Sequence, residues 1–334
     1  MTALANQKIA ENATPITRYT AISQIDLAPY PAIAHLVARQ VAAWPEHEAT
    51  LATSLGNRSL EVMQETEKTA EMVTKLAHHH FENVDKVCED YRYFCQEMIL
   101  EAELFFRRNG RYERSTFEEA YRDVYANDEV MEKYLNGLLL SGVFWHNHAY
   151  ALTFYRNEYL AMLPENFVHL EVGPGHGALL DMTVTNPKCG KATGWDVSPG
   201  SIEATRRALE VIGIEDKVEL VLQDMFDAPP QSEVFDSIVV SELLEHLEDP
   251  LKALKALRTS LKPGGLILVN MPANSPAPDH LYLIDKPQEM TELMEEAGFI
   301  VEKSDLFPMT GYSLERCLKD KLTITCVAVG RRPL

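Results

Sequence analysis

The stretch E-V-G-P-G-H-G at residues 171–177 decides the fold, because it joins a short apolar segment to a helical one. The segment F-V-H-L-E-V at 167–172 has the composition of a buried strand. Glycines that directly follow a first strand allow a sharp turn and let the backbone approach a ligand closely. Gly173, Gly175 and Gly177 therefore predict a ligand-binding strand–turn–helix unit, while a tight turn without a ligand is the alternative for G-x-G alone.

Strand-like and helical segments alternate along residues 165–334. The predicted strands are 167–172, 192–197, 218–222, 235–241, 265–270, 299–304 and 322–329. This alternation predicts βαβ units and a parallel sheet with helices on both faces. The link between the last two strands contains Pro308 and Gly311, which leaves little room for a crossover helix like those between the earlier strands. We therefore expect the last strand to run antiparallel.

The first half of the chain has a helical pattern instead. Helices are predicted over 59–77, over 81–108 and from Ser115 to Tyr125, where Ser115 and Glu118 form a capping box. A long apolar-rich segment follows and ends at Pro164. The sequence thus predicts a helical domain over residues 1–160 and an α/β domain over residues 161–334.

Charge and cysteine usage limit the partners of this chain. The net charge is −19, and both halves are acidic: residues 1–160 carry 15 basic and 23 acidic groups, and residues 161–334 carry 16 and 27. Nucleic acid and anionic membrane surfaces are disfavoured, because both require clustered Lys and Arg. The five cysteines contain no C-x-x-C, and no long apolar run occurs. We expect a cytoplasmic protein with reduced thiols.

Two further strand ends carry residues suited to an adenosine. Asp196 ends the second strand, where a carboxylate can accept hydrogen bonds from both ribose hydroxyls. Asp224 and Met225 follow the third strand, where the edge and face of an adenine would lie. The turn is G-x-G-x-G and not G-x-G-x-x-G, which argues against an NAD-dependent dehydrogenase.

Residues 165–334 resemble a class I S-adenosylmethionine (SAM)-dependent methyltransferase. The matching segments are E-V-G-P-G-H-G, G-W-D-V-S, Q-D-M, F-D-S-I-V-V-S-E and L-K-P-G-G-L-I-L-V-N, in the order of the family. The resemblance implies a Rossmann-like, seven-stranded sheet with an antiparallel last strand. It also implies a SAM site formed by Glu171, Gly173, Gly175, Gly177, Asp196, Asp224, Met225 and Ser241. In related enzymes a helical extension covers the substrate and often dimerises, so these are the two roles expected of residues 1–160.

A group of acidic residues and a histidine lies in V-S-E-L-L-E-H-L-E-D-P, residues 240–250. Asp249 and Pro250 predict the start of a helix, as N-cap and first-turn residue. Glu242, Glu245 and His246 precede that helix and follow the fourth strand, at the sheet edge where open α/β sheets bind ligands. The loop after the fifth strand brings Asp279 and His280 toward the same edge, and carboxylates with imidazoles suit a divalent metal.

E-x-x-E-H with a downstream D-H resembles two metal-dependent branches of the family, the ubiquinone-pathway catechol-type O-methyltransferases and the small-RNA 2′-O-methyltransferases. The acidic charge disfavours RNA. The resemblance implies a divalent metal (Mg, Zn, Mn or Fe) held by Glu242, Glu245, His246 and His280. The same motif also occurs in members without a metal, where it lines the substrate pocket or caps the helix. In that case His246 or His280 is the candidate general base.

The sequence therefore predicts a SAM-dependent methyltransferase that acts on a small molecule, at a hydroxyl oxygen. Three alternatives remain open: C-methylation of an α-keto acid or similar enolisable acid, N-methylation, and a SAM-binding regulatory protein without turnover. A metal would acidify an enolisable acid as well as a hydroxyl, so the motif alone does not separate these acceptors.

Overall fold

The computed structural model describes residues 16–79, 83–227 and 234–334. The chain forms two compact units. The first comprises Met1–Thr153, Pro272–Lys286 and Asp305–Thr325, and the second comprises Phe154–Met271, Pro287–Ser304 and Cys326–Leu334. The predicted domain boundary at residue 160 stays a prediction, but the first unit includes two segments from the second half of the sequence.

The first unit is built from helices. They are α1 (Pro31–Ala43), α2 (Glu48–Gly56), α3 (Leu60–His79), α4 (Val84–Tyr93), α5 (Leu100–Asn109), α6 (Phe117–Ala120), α7 (Asp128–Phe144) and α8 (His146–Phe154). Helix α1 packs against α3 and α4 through Ile33, Leu36 and Val37, whose spacing places them on one face. In the described ranges, no helix combines the length and the apolar character needed to cross a membrane.

The helical predictions differ from the structure in three places, and residues 81–82 of the predicted helix 81–108 lie outside the described residues. Tyr121–Tyr125, at the end of the predicted helix from Ser115, is π-helical. A π-helical segment, Phe94–Ile99, joins α4 to α5 within the predicted helix 81–108. The capping box at Ser115 and Glu118 is wrong, because Thr116 is the N-cap and accepts the amide hydrogen of Glu119. The Glu119 carboxylate in turn accepts the amide hydrogen of Ser115, so the same residue types cap this helix one position later.

The second unit contains the sheet. Its strands are β1 (Phe167–Val172), β2 (Cys189–Asp196), β3 (Val218–Leu222), β4 (Phe235–Ser241), β5 (Leu261–Ala273), β6 (Ile300–Pro308) and β7 (Ile324–Arg331), and the last residues of β5 and β6 and the first of β7 belong to the first unit. The helices between them are α9 (Ala178–Val184), α10 (Pro199–Ile212), α11 (Pro250–Ser260) and α12 (Gln288–Glu296). The strand order is β3-β2-β1-β4-β5-β7-β6.

The last strand runs antiparallel, as predicted. The amide of Gly264, near the start of β5, donates to the carbonyl of Arg332 just after β7, and the Arg332 amide donates to Gly265. The beginning of one strand therefore pairs with the end of the other. The link before β7 holds only a short helix, α13 (Leu314–Asp320). Ser313 supplies its N-cap, so seven residues suffice for a short helix after Gly311.

The strand order places a topological switch point between β1 and β4. These strands are neighbours, yet the chain goes from β1 to β2 on one side and reaches β4 on the other. Ligands of open α/β sheets bind outside the carboxyl ends of the strands at such a point. The residues that follow β1, β2 and β4 are therefore the candidates for ligand binding.

A buried polar cluster connects the segment Tyr155–Tyr159 to strands β4 and β5 of the sheet. The Tyr159 hydroxyl lies 2.7 Å from Ser237 Oγ and 3.0 Å from each of the carbonyl oxygens of Ile238 and Leu266. His169 is fully buried beside the same serine, with Nδ1 2.8 Å from Ser237 Oγ. Burial lowers the pKa of His169 to about 3, so the imidazole is neutral in the folded protein.

Candidate active site

The glycine turn has the backbone geometry that its sequence predicts. Gly173, Gly175 and Gly177 have φ values of 71°, 49° and 75°, in the left-handed region that favours glycine. The Gly173 amide donates to the Trp195 carbonyl at 2.8 Å, and the Gly177 amide donates to the Pro174 carbonyl at 2.8 Å. One hydrogen bond thus connects the turn to β2, and the other closes the turn internally before α9 begins at Ala178.

The three glycines serve different purposes. A Cβ on Gly177 would lie 2.5 Å from Leu209 Cδ2, so this glycine allows α10 to pack closely on the turn. A Cβ on Gly173 would lie 3.3 Å from Leu243 Cδ1, which is a tight but tolerable contact. A Cβ on Gly175 would meet no atom within 4 Å, and this glycine is exposed. Only Gly175 therefore presents open space where a ligand could contact the backbone.

Glu171 is buried at the end of β1 directly before this turn. Its side chain is 4% exposed, and its Oε2 has no hydrogen-bond partner. Burial raises the pKa of Glu171 well above its usual range, and the hydrogen bond from the Leu180 backbone offsets this only in part. A buried acceptor without a partner marks either strain or a ligand-binding position.

Asp196 and Asp224 lie at the carboxyl ends of neighbouring strands. The Asp196 carboxylate accepts the Ser198 amide hydrogen at 2.8 Å, and its backbone carbonyl accepts the Gln223 amide hydrogen at 2.8 Å. Burial raises the pKa of Asp196. The Asp224 carboxylate accepts the Phe226 amide hydrogen at 2.8 Å, and Met225 is 7% exposed. The structure thus aligns these residues along the edge that begins at the glycine turn.

Glu242, Glu245 and His246 lie together after β4 in the second unit. Residues Leu244–His246 form a single 3₁₀ turn, and the His246 amide donates to the Leu243 carbonyl at 3.1 Å. His246 Nε2 lies 3.9 Å from Glu245 Oε1. Glu242 has φ 50°, a costly conformation for a residue other than glycine, which turns the chain sharply at the end of β4.

Glu245 and the partly buried Glu242 form a carboxyl pair. The Glu245 side chain is fully buried, and Glu242 Oε1 is inaccessible to solvent. Burial raises the pKa of Glu242 to about 7, against the opposing effect of hydrogen bonds from the side chains of Glu245 and Asn270. Two buried carboxyl groups this close cannot both ionise without a compensating cation. The pair is therefore suited to a shared proton or to a positively charged ligand.

Asn270 joins this group, although sequence reasoning missed it. The Asn270 side-chain amide donates to Ser241 Oγ at 2.9 Å, and the Asn270 backbone carbonyl accepts the Glu242 amide hydrogen at 2.9 Å. The pairing of β4 with β5 places Ser241 opposite Asn270. A polar residue within the apolar run L-I-L-V-N was the available signal for this position.

His280 belongs to the first unit, whereas the other three predicted metal ligands belong to the second. It is 6% exposed, with Nδ1 2.6 Å from the Ser275 carbonyl oxygen. That carbonyl can only accept, so Nδ1 carries the hydrogen and Nε2 is the nitrogen with a lone pair. The neighbouring Asp279 accepts hydrogen bonds from the Tyr125 and Tyr134 hydroxyls at 2.9 Å and 2.8 Å.

The chain is similar in sequence to known methyltransferases. The chain is 27% identical to the demethylmenaquinone methyltransferase of Symbiobacterium thermophilum over 142 residues, 41% of this chain and 54% of that protein. It is 25% identical to the ubiquinone biosynthesis O-methyltransferase of Dinoroseobacter shibae over 185 residues, 49% of this chain and 73% of that protein. The chain thus spans about half the length of the first relative.

Among solved structures, the N-methyltransferase NodS of Bradyrhizobium japonicum in complex with S-adenosyl-L-homocysteine is similar with a TM-score of 0.46. It is 19% identical, and the match covers 66% of this chain and 100% of that one. Residues 144–320, more than half of the chain, match the family model described as a methyltransferase domain. The resemblance found in the sequence is confirmed: this chain belongs to the methyltransferase-domain family.

Proposed function

We propose that the protein is a SAM-dependent methyltransferase that transfers a methyl group to a hydroxyl oxygen of a small molecule. The observation that carries the proposal is the glycine turn at the switch point of the sheet. Gly175 has a left-handed backbone and open space before it, and the unpartnered carboxyl oxygen of Glu171 lies in the strand that leads into the turn. A ligand that carries a positive charge could contact the backbone at Gly175 and also provide a partner for the Glu171 carboxyl oxygen.

The residues present fit SAM. Its sulfonium supplies a methyl group that is transferred in line to a nucleophile. Asp196, at the tip of β2, would accept hydrogen bonds from the ribose hydroxyls, and Asp224 with Met225 would contact the adenine. The burial that raises the pKa of Glu171 disfavours the ionised form of this carboxyl in the absence of a cation. A positive charge beside it favours the ionised form, so the cofactor and this carboxylate would stabilise each other.

We further propose that Glu242, Glu245 and His246 bind a divalent metal. Two carboxylates and an imidazole are ligands suited to Mg, Mn, Fe or Zn. The carboxyl pair supports the proposal, because a cation would remove the need for a shared proton. His280 as fourth ligand stays a prediction, since it belongs to the other compact unit.

Oxygen is the favoured acceptor atom for two reasons. A metal that binds a hydroxyl would lower its pKa, whereas the lone pair of a neutral amine is nucleophilic without a metal. One relative is named an O-methyltransferase of ubiquinone biosynthesis. If no metal binds, His246 is the base that would remove the acceptor proton, since it lies beside the buried Glu245. C-methylation of an enolisable acid remains the second candidate, because the same carboxylates and imidazole could hold its metal chelate.

The decisive experiment measures the metal content of the purified protein and methyl transfer from radiolabelled SAM to a panel of catechols, α-keto acids and amines. We expect stoichiometric metal, loss of transfer in EDTA and recovery on adding back the metal. Substoichiometric metal with EDTA-insensitive transfer would contradict the metal proposal but leave the methyltransferase intact. SAM binding without transfer to any acceptor class would favour a regulatory protein. Light scattering of the same sample tests the predicted homodimer.

A further inference from the structure

Arg58 is a buried cation in the first unit. It lies in the loop between α2 and α3 and is 8% exposed. Burial lowers the pKa of Arg58 to about 9, with the phenols of Tyr150 and Tyr91 acting in the opposite direction. The guanidinium is therefore still positively charged at neutral pH. Arginines this deeply buried are normally paired with a carboxylate.

The partners of Arg58 are neutral hydroxyl groups. Its Nη1 donates to Thr66 Oγ1 at 3.0 Å, and its Nη2 donates to Ser54 Oγ at 2.9 Å. Each hydroxyl donates a hydrogen bond to a backbone carbonyl at 2.7 Å. Thr66 donates to Val62, and Ser54 donates to Phe144. The two oxygens are thus fixed as acceptors, and they hold the guanidinium plane without neutralising its charge.

The charge of Arg58 has no counter-ion within the part of the chain that the structure describes. Its Nε has no hydrogen-bond partner, and its two hydrogen bonds go to the hydroxyls of Ser54 and Thr66. The two groups that act electrostatically on it are the phenols of Tyr150 and Tyr91, and neither is a carboxyl group. Leaving a buried cation uncompensated is costly, so an anion beyond the described residues is the expected partner.

The chain reaches the surface directly after Arg58. Ser59 and Leu60, which follow it directly, are exposed, and the Ser59 amide donates to the Tyr150 hydroxyl at 3.3 Å. The Tyr150 ring lies 4.4 Å from the His146 ring, and both side chains are half-buried. Burial lowers the pKa of His146 to about 4, and the Arg58 charge acts in the same direction. The surroundings are therefore neutral and aromatic at pH 7, which suits an anion attached to an apolar body.

We propose that Arg58, held by Ser54 and Thr66 beside Tyr150 and His146, binds the carboxylate group of a small molecule. A carboxylate supplies one negative charge to balance one guanidinium, and its two oxygens match the planar fork of arginine. That this carboxylate belongs to the methyl acceptor rests on the proposed function. The carboxylate site itself does not depend on it.

The test uses the full chain and small probes. Sodium acetate and sodium benzoate are compared with acetamide and benzamide at constant ionic strength, by thermal unfolding and by calorimetry. The carboxylates, but not the amides, should raise the unfolding temperature of the wild type. Arg58→Met should weaken carboxylate binding by roughly 10- to 150-fold. Arg108→Met, which removes an exposed arginine of the same unit, serves as the matched control and should respond like the wild type.

Stability without ligand gives a second readout. Arg58→Met should unfold at the same or a higher urea concentration than the wild type, because it removes an uncompensated charge. A lower midpoint together with an unchanged carboxylate response would show a structural role and overturn the proposal. So would a wild type that responds to neither carboxylate, or a response that Arg58→Met retains. A stronger response to phosphate than to carboxylates would also overturn the assignment of ligand class.

Two further measurements keep the result interpretable. If Arg58→Met does not fold, Arg58→Lys keeps the charge but loses the fork, and carboxylate binding should weaken by roughly tenfold. In the wild type, the Nε–H resonance of Arg58, identified by its absence in Arg58→Lys, should shift on titration with benzoate. SAM binding is measured in parallel by calorimetry. Carboxylate binding without SAM binding would contradict the proposed function and leave this site standing.

Discussion

Replacing Gly175 with alanine tests whether the glycine turn meets a ligand through its backbone. Gly175 has φ 49°, and a Cβ there would meet no atom of the protein within 4 Å. The cost to the free protein is therefore conformational. An L-residue in the left-handed region costs about 1–2 kcal/mol, and alanine recovers about 0.4–1 kcal/mol by restricting the unfolded chain. We expect a net loss of about 1 kcal/mol and a fall in Tm of at most about 4 °C.

The effect on SAM binding should be larger than the effect on stability. The methyl group that the Gly175→Ala substitution adds would extend into the open space where the cofactor would approach the turn. Overpacking of this kind costs about 1–3 kcal/mol. Calorimetry with SAM should therefore show binding weakened by about 5- to 150-fold, at a protein concentration and temperature where the variant is fully folded.

Gly213→Ala is the matched control. Gly213 ends α10 with φ 86°, and a Cβ there also meets no atom within 4 Å. This variant carries a similar backbone cost but lies outside the glycine turn, so its SAM affinity should equal that of the wild type. Equal SAM affinity in Gly175→Ala and the wild type would refute the close approach of ligand to backbone. Equal losses in both variants would show that binding follows general stability instead.

Three other substitutions test the remaining assignments. Asp196→Asn should weaken SAM binding by about 10- to 150-fold in calorimetry, because a charge-assisted hydrogen bond contributes about 1.5–3 kcal/mol. An unchanged affinity would show that Asp196 does not bind the ribose. The pKa of His169 is about 3 in the folded protein and near 6.5 in the unfolded chain, so its contribution to stability is complete above pH 6.5 and decreases as the pH falls toward 3. Urea unfolding at pH 7 and 4.5 should show about 2–3 kcal/mol more loss of unfolding free energy in the wild type than in His169→Asn, and equal losses would contradict this. Tyr159→Phe should lower the unfolding free energy by about 1–3 kcal/mol, since it removes a buried hydroxyl beside Ser237 and two carbonyls, and a stability equal to the wild type would show that these contacts are dispensable.

Much of the α/β unit was predictable because its signals are local. The strands β3 and β4 begin and end at the predicted residues, since apolar β-branched runs bounded by polar residues specify them. Asp249 caps α11 by accepting the Lys252 amide hydrogen, as its position before Pro250 predicts. The strand β5 is longer than predicted, because K-P-G-G at 262–265 continues the strand where it pairs with the end of β7.

The sequence by itself determined the positions of the glycine turn, Asp196 and the Glu242–His246 group, because strand ends and turns depend on residues that are neighbours in the chain. Only the tertiary structure decided that residues 272–286 and 305–325 belong to the helical unit, and with them His280. It also decided that Asn270 contacts Ser241 and that Arg58 is buried between two hydroxyl groups. These arrangements join residues that are 4 to more than 150 positions apart. Their energies come from burial and hydrogen bonds between separate elements, which hydrophobic periodicity along the chain does not encode.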